Sequence, residues 1–109
     1  MPEWDVEFEH AKSDDGSPVL IVAGEIDLAV VQRLSQELAD LIERASGSVF
    51  VDLARVGFMD SSGVRELLKA RKAAEQRSVK FVLRAPSDSC KHVLQVSGAW
   101  NEFEVQPGS

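Results

Sequence analysis

Apolar and polar residues alternate strictly at the start of the chain, with Trp4, Val6 and Phe8 set against Asp5, Glu7 and Glu9. A period of two belongs to a strand with one wet face. The turn-forming Asp14-Asp15-Gly16 leads from it into the apolar run Val19 to Ala23, so the pattern predicts a hairpin. From Leu28 the period lengthens. Val30, Leu34, Leu38, Leu41 and Ala45, joined by Val31 and Ile42, mark an amphipathic helix, with Asp27 placed to cap its start and Gly47 just past its end. Val49 to Leu53 is a short, nearly continuous apolar run of the kind found in a strand covered on both faces, which predicts a central strand.

After Asp60-Ser61-Ser62-Gly63 the helical period returns, with Val64, Leu67, Leu68 and Ala74 on one side and Arg65, Glu66, Lys69, Arg71 and Lys72 on the other. A further buried strand is predicted at Val79 to Leu83. A third helix follows at Ser87 to Ser97, carrying Cys90, Val93, Leu94 and Val96 and stopped by Gly98, and a last short strand at Glu102 to Val105. The order β-β-α-β-α-β-α-β calls for an α/β fold. Its sheet would be a single, mostly parallel layer with right-handed crossovers, an antiparallel N-terminal edge strand and helices packed on it. No repeat or low-complexity tract interrupts residues 1–109, which read as one domain. Loop-rich stretches are confined to Lys12 to Pro18, Ala85 to Ser89 and a flexible tail at 106–109.

Composition narrows the function. The 109 residues are 44% hydrophobic and 28% charged, enough apolar material for a core, and 12 Lys plus Arg against 18 Asp plus Glu give a net charge of −6. A basic footprint for phosphate backbones is missing, so nucleic acid is a poor partner. Apolar runs fall far short of the roughly 20 residues needed to cross a bilayer, and the N-terminus is acidic where a secretory signal would be basic. A soluble, cytoplasmic protein without a membrane partner is expected. The lone Cys90 agrees with a reducing compartment and can neither form an internal disulfide nor build a zinc site by itself.

Chemistry in an open α/β sheet gathers where strand C-terminal ends meet helix N-terminal ends. Two such junctions stand out, Gly24-Glu25-Ile26-Asp27 and Phe58-Met59-Asp60-Ser61-Ser62-Gly63. Taken alone, Asp-Ser-Ser-Gly is an ordinary helix start, with capping side chains and a glycine for backbone freedom. A phosphate-binding loop would need a longer Gly-rich run and a Lys. A nucleophilic Ser would need a base, yet His10 lies near the start of the chain and His92 on the third helix, beside apolar neighbours. Glu25, Asp52 and Asp60 follow no metal-ligand spacing, so neither a catalytic residue nor a metal or cofactor is assigned. Cys90 and His92 read as a packed helix position and its neighbour, Trp4 and Trp100 as core or edge anchors, and Lys69 to Lys72 as a solvated face. What remains is a hydroxyl on a surface turn, available to another protein's active site. Phosphorylation there adds about −1.5 to −2 charge at a helix N-terminus, which tolerates an anion, so the consequence would fall on a partner rather than on the fold.

The segments GEID at 24–27, VFVDLARVGFMDSSGV at 49–64 and VLQVSGAWNEFEV at 93–105 resemble the STAS domain of bacterial anti-sigma factor antagonists, over nearly the whole chain. The resemblance implies that Ser61, the first Ser after the Asp, is the phosphorylation site. It further implies that Glu25, Asp27, Asp60, Ser62 and Gly63 belong to the partner-binding surface around it. The protein would then be no enzyme but a substrate and competitor. Unphosphorylated, it would bind an anti-sigma factor that is also an ATP-dependent serine kinase, releasing a sigma factor. A metal-dependent serine/threonine phosphatase would later reverse the modification. The family also implies a further helix past the last strand, for which the four residues after Val105 leave no room, and a Pro where Asp88 stands, an exchange that keeps a favourable helix start.

Two other functions fit the same residues. One is a STAS interaction subunit of a stress-signalling scaffold or a lipid transporter, binding its partner without a phosphorylation cycle. The other is a small-anion or nucleotide-binding module using the helix start at Ser61.

Overall fold

The computed structural model describes residues 6–108. The hairpin strands β1 (Val6–Lys12) and β2 (Pro18–Ile26) are followed by α1 (Val31–Glu43), β3 (Ser48–Met59), α2 (Ser61–Gln76), β4 (Lys80–Arg84), α3 (Asp88–Val96) and β5 (Glu104–Gln106). They form one five-stranded sheet in the order β1-β2-β3-β4-β5, with β1 antiparallel to β2 and every other neighbouring pair parallel. The anticipated α/β architecture, including its antiparallel edge, is therefore the observed one. The expected anchor Trp4 lies outside the described residues.

Strand order equals chain order, and this decides where the core sits. Each crossover advances by one strand in the same direction, and right-handed crossovers that all step one way leave their helices on one face. Accordingly α1 packs on α2 and α2 on α3, above a single apolar layer. That layer joins Leu20, Val22 and Ile26 of β2, Leu34, Leu38 and Leu41 of α1, Val49, Val51 and Leu53 of β3, Leu67 of α2, Leu83 of β4 and Leu94 of α3. The expectation that β3 is covered on both faces is thereby overturned. It is central, but Phe50 and Asp52 on its other face are only half-buried. That face carries no helix, and there the Arg84 guanidinium lies 5.8 Å from the Phe50 ring centre and 3.3 Å from the Asp52 carboxylate.

β3 is also longer than its apolar run suggests. Its buried positions are Val49, Val51, Leu53, Val56 and Met59, so the spacing changes from two to three after Leu53. Against β2 the register slips between Ile21 and Ala23 and again between Gly24 and Glu25. Each bulge adds a residue to β3, breaks the alternation and leaves two consecutive exposed residues, first Ala54-Arg55 and then Gly57-Phe58.

Several local expectations need correction. Asp27 does not cap α1: its carboxylate accepts from the Ala29 N–H at 3.0 Å in a preceding turn, and the helix starts after Val30, which caps it with no side-chain hydrogen bond. Gly47 is not the helix stop, because α1 ends at Glu43 and Gly47 uses its carbonyl to accept from Lys80 N. Val96, counted among the apolar positions of α3, is 70% exposed. The last strand starts two residues late because Trp100–Glu102 coil into a single 3-10 turn, which leaves Trp100 half-buried against the core as an anchor. Gln106 belongs to β5 rather than to a tail, and its carbonyl accepts from Ala85 N at 2.8 Å.

Ser87 caps α3, its hydroxyl accepting from Cys90 N at 3.3 Å. Cys90 itself is fully buried, and burial pushes its thiol above the ordinary range. Because the folded state holds that proton more tightly than the unfolded chain does, stability is lost as the pH rises past the ordinary thiol range. At pH 8 an alkylating reagent should modify native Cys90 at least about a hundredfold more slowly than the urea-unfolded chain, since reaction awaits opening of the core. Mass spectrometry of quenched time points reads this directly. Equal rates would mean that Cys90 is not sealed.

Candidate functional site

The two junctions singled out in the sequence meet at one end of the sheet. Glu25 and Ile26 of β2 lie in register with Phe58 and Met59 of β3, and the Asp60 N–H donates to the Ile26 carbonyl at 3.1 Å, extending the strand pair by one bond. Gly24 has φ of +108°, in a region that L side chains rarely adopt, and this glycine allows the second bulge just before Glu25. Glu25 is therefore exposed on the helix-free side while Ile26 is buried on the other. The structure brings Glu25 and Asp60 onto one rim, with Asp27 at the turn that leaves it.

On that rim the two serines are not equivalent. Asp60 is the N-cap of α2, and one of its carboxylate oxygens accepts both from the Ser62 N–H at 2.9 Å and from the Ser62 hydroxyl at 2.5 Å. Asp60 and Ser62 are each half-buried, and together they close the first turn. Ser61, the first helical residue, is exposed, and among the described residues its hydroxyl meets no hydrogen-bond partner. Its neighbour spends its proton on the cap, whereas Ser61 holds its hydroxyl free at the positive end of the helix dipole.

Gly63 is needed for space, not for the backbone freedom expected of it. It is buried, and a Cβ at this position would lie 2.7 Å from Met59 Cγ and 2.9 Å from Ile26 Cγ2. The first turn of α2 sits directly on the ends of β2 and β3, which fixes the height at which Ser61 stands above the sheet.

Sequence reasoning missed three neighbours. The Ser89 hydroxyl donates to the Gly57 carbonyl at 2.8 Å, tying the start of α3 to the overhanging tip of β3. Phe58, the penultimate residue of β3, is 46% exposed, and Leu28, in the turn two residues past the end of β2, is 73% exposed. Phe58 was legible only as part of the flanking motif, because the bulge that turns it outward leaves no mark on simple alternation. No residue of the rim lines the open depression of about 520 Å³ that runs along β1. Among the described residues no group of three or more His, Cys, Asp or Glu is placed to hold a metal ion, and no helix is long and apolar enough to cross a membrane. Chemically, the rim offers an acceptor hydroxyl and a broad surface rather than a cleft.

This fold is that of a known class. The family model described as "Mlab, STAS domain" matches residues 9–102, and the chain belongs to the STAS domain family. BtrV of Bordetella bronchiseptica, provisionally named an anti-sigma factor antagonist, is 28% identical over 91 residues, covering 84% of this chain and 78% of that protein. Among solved structures, an anti-sigma factor antagonist from Mycobacterium paratuberculosis superposes with a TM-score of 0.84 over 97% of this chain and 89% of its own, at 21% identity. The anti-sigma factor antagonist SpoIIAA, in its unphosphorylated form, does so with a TM-score of 0.73 over 91% and 87%, at 25% identity.

Proposed function

We propose that the protein is an anti-sigma factor antagonist switched by phosphorylation at Ser61. The unphosphorylated form binds an anti-sigma factor with serine kinase activity in the cytoplasm and so releases a sigma factor. The kinase supplies ATP and the catalytic base, the Ser61 oxygen takes the γ-phosphoryl group, and a metal-dependent serine/threonine phosphatase later hydrolyses it. Relatives named for the same role support this reading, and SpoIIAA, described in an unphosphorylated form, supports the cycle. The observation that carries it is the contrast between the two serines: Ser61 is exposed and unpartnered among the described residues, while Ser62 is held by Asp60. Glu25, Asp27, Asp60, Ser62 and Gly63 frame the binding surface, Asp60 and Gly63 by setting the position of Ser61 and Glu25 by direct exposure.

The test begins with a Ser61→Ala bait, which cannot be switched off. Its pull-down should retain an anti-sigma factor, identified by mass spectrometry and then purified. Incubated with that factor and ATP, the wild-type protein and Ser62→Ala should each gain one phosphate, and Ser61→Ala none. A gain that survives Ser61→Ala sinks the assignment. A second reading keeps the STAS domain as an interaction subunit of a larger assembly such as a lipid transporter, and the matching family model, whose description names the domain and no sigma factor, is compatible with it. Capture of transporter components by the same bait, without any kinase, is the outcome expected of it.

A further inference from the structure

Resting on the function proposed above, we infer that Leu28 and Phe58 are the two apolar anchors by which the anti-sigma factor holds this rim. Only three large hydrophobic side chains are exposed among the described residues: Leu28, Phe58 and Val96. Val96 lies in the last turn of α3, whose other end is tied to the β3 tip through Ser89, so it stands roughly 10 Å away along the helix axis from the rim. The other two lie within two residues of the Ile26–Asp60 hydrogen bond on this rim, Phe58 in β3 and Leu28 in the turn after β2. Single exposed hydrophobics are common, but the local backbone is built to expose these two. At Phe58 a second bulge in β3 re-aims the side chain out of the sheet, opposite the Gly24 to Glu25 step whose positive φ permits it. At Leu28 the turn closed by the Asp27 carboxylate on Ala29 N and by Val30 N on the Asp27 carbonyl points the side chain to solvent.

Charge fixes the chemistry of the occupant. Glu25, Asp27 and Asp60 are carboxylates on the same rim, so the matching surface is two apolar sockets with a basic border. Phosphorylated Ser61 releases such a partner by placing a hydrated dianion within a few residues of the anchors, where it keeps water in the contact they must seal. Buried aromatic and aliphatic anchors at the centre of a contact carry most of its affinity, while the surrounding polar residues mainly exclude water.

The anti-sigma factor recovered with the Ser61→Ala bait is the probe. Titrated by calorimetry, Leu28→Ser and Phe58→Ser should each weaken binding about tenfold or more, with unfolding midpoints close to wild type, and Val96→Ser should leave the affinity unchanged. In phosphorylation assays the same two variants should raise KM for the protein substrate at unchanged kcat, since the acceptor Ser61 is intact. Undiminished affinity in both variants, or an equal loss in Val96→Ser, overturns the anchors and leaves the proposed function standing. If no anti-sigma factor binds the wild-type chain at all, the proposed function fails, and this inference with it.

Discussion

Ser61→Asp should weaken the complex with the anti-sigma factor about a hundredfold or more while shifting the unfolding midpoint by no more than about 2 °C. A desolvated, unpaired charge within a contact costs several kcal/mol, and 2.7 kcal/mol is about a hundredfold. On the folded side nothing comparable changes. Ser61 is exposed, its hydroxyl makes no internal hydrogen bond among the described residues, and the capping carboxylate is that of Asp60. A second carboxylate in the first turn gains from the helix dipole about 0.3–1 kcal/mol and loses a similar amount by crowding Asp60. Ser61→Ala, by contrast, should bind like the wild type. Calorimetry and thermal unfolding on the same samples separate the outcomes: a loss of stability above about 5 °C would make Ser61 a structural residue, and retained binding would remove the charge as the switch.

The largest stability effect is expected at Gly63. Replacing a helical glycine with alanine ordinarily gains up to about 1 kcal/mol, but here the added methyl would sit 2.7 Å from Met59 Cγ and 2.9 Å from Ile26 Cγ2 and Met59 Sδ. Overpacking of this kind costs about 1–3 kcal/mol, so Gly63→Ala should be destabilising despite its better propensity. Gly63→Val adds two more methyl groups without the propensity gain and should cost about 3 kcal/mol or more, lowering the midpoint by roughly 10 °C or more. The clash has a named origin, which gives the check. In combination with Met59→Ala the cost of Gly63→Ala should be clearly less than additive, because the space vacated by Met59 takes the new methyl. Strict additivity would mean that the contact does not set the penalty.

The strand and helix order was legible from periodicity because each element has one buried face. Period two marks β1, and period 3.6 marks α1 and α2 through Leu34, Leu38, Leu41 and through Val64 and Leu67. Periodicity fails where the backbone departs from a regular repeat. Alternation ends β3 at Leu53 because the two bulges change the spacing beyond it, and Asp27 reads as the α1 cap because a turn and a cap use the same short acidic side chain. The overcount of covered faces on β3 has a global cause. An apolar run such as Val49 to Leu53 is compatible with two covered faces, and only the one-way order of the crossovers leaves the Phe50 side without a helix.

For the candidate site, local chemistry in the chain was enough to pair a capping aspartate with two serines at a helix start and to place an acceptor hydroxyl there. It could not rank the serines, since both lie within reach of the same carboxylate along the chain. Folding breaks that symmetry. The first turn of α2 is pressed onto Ile26 and Met59 through Gly63, the Asp60 carboxylate closes on Ser62, and Ser61 is left facing solvent. Short-range hydrogen bonding and periodicity are written in consecutive residues, whereas the meeting of β2 and β3 ends joins segments about 30 residues apart and exists only once the sheet has formed.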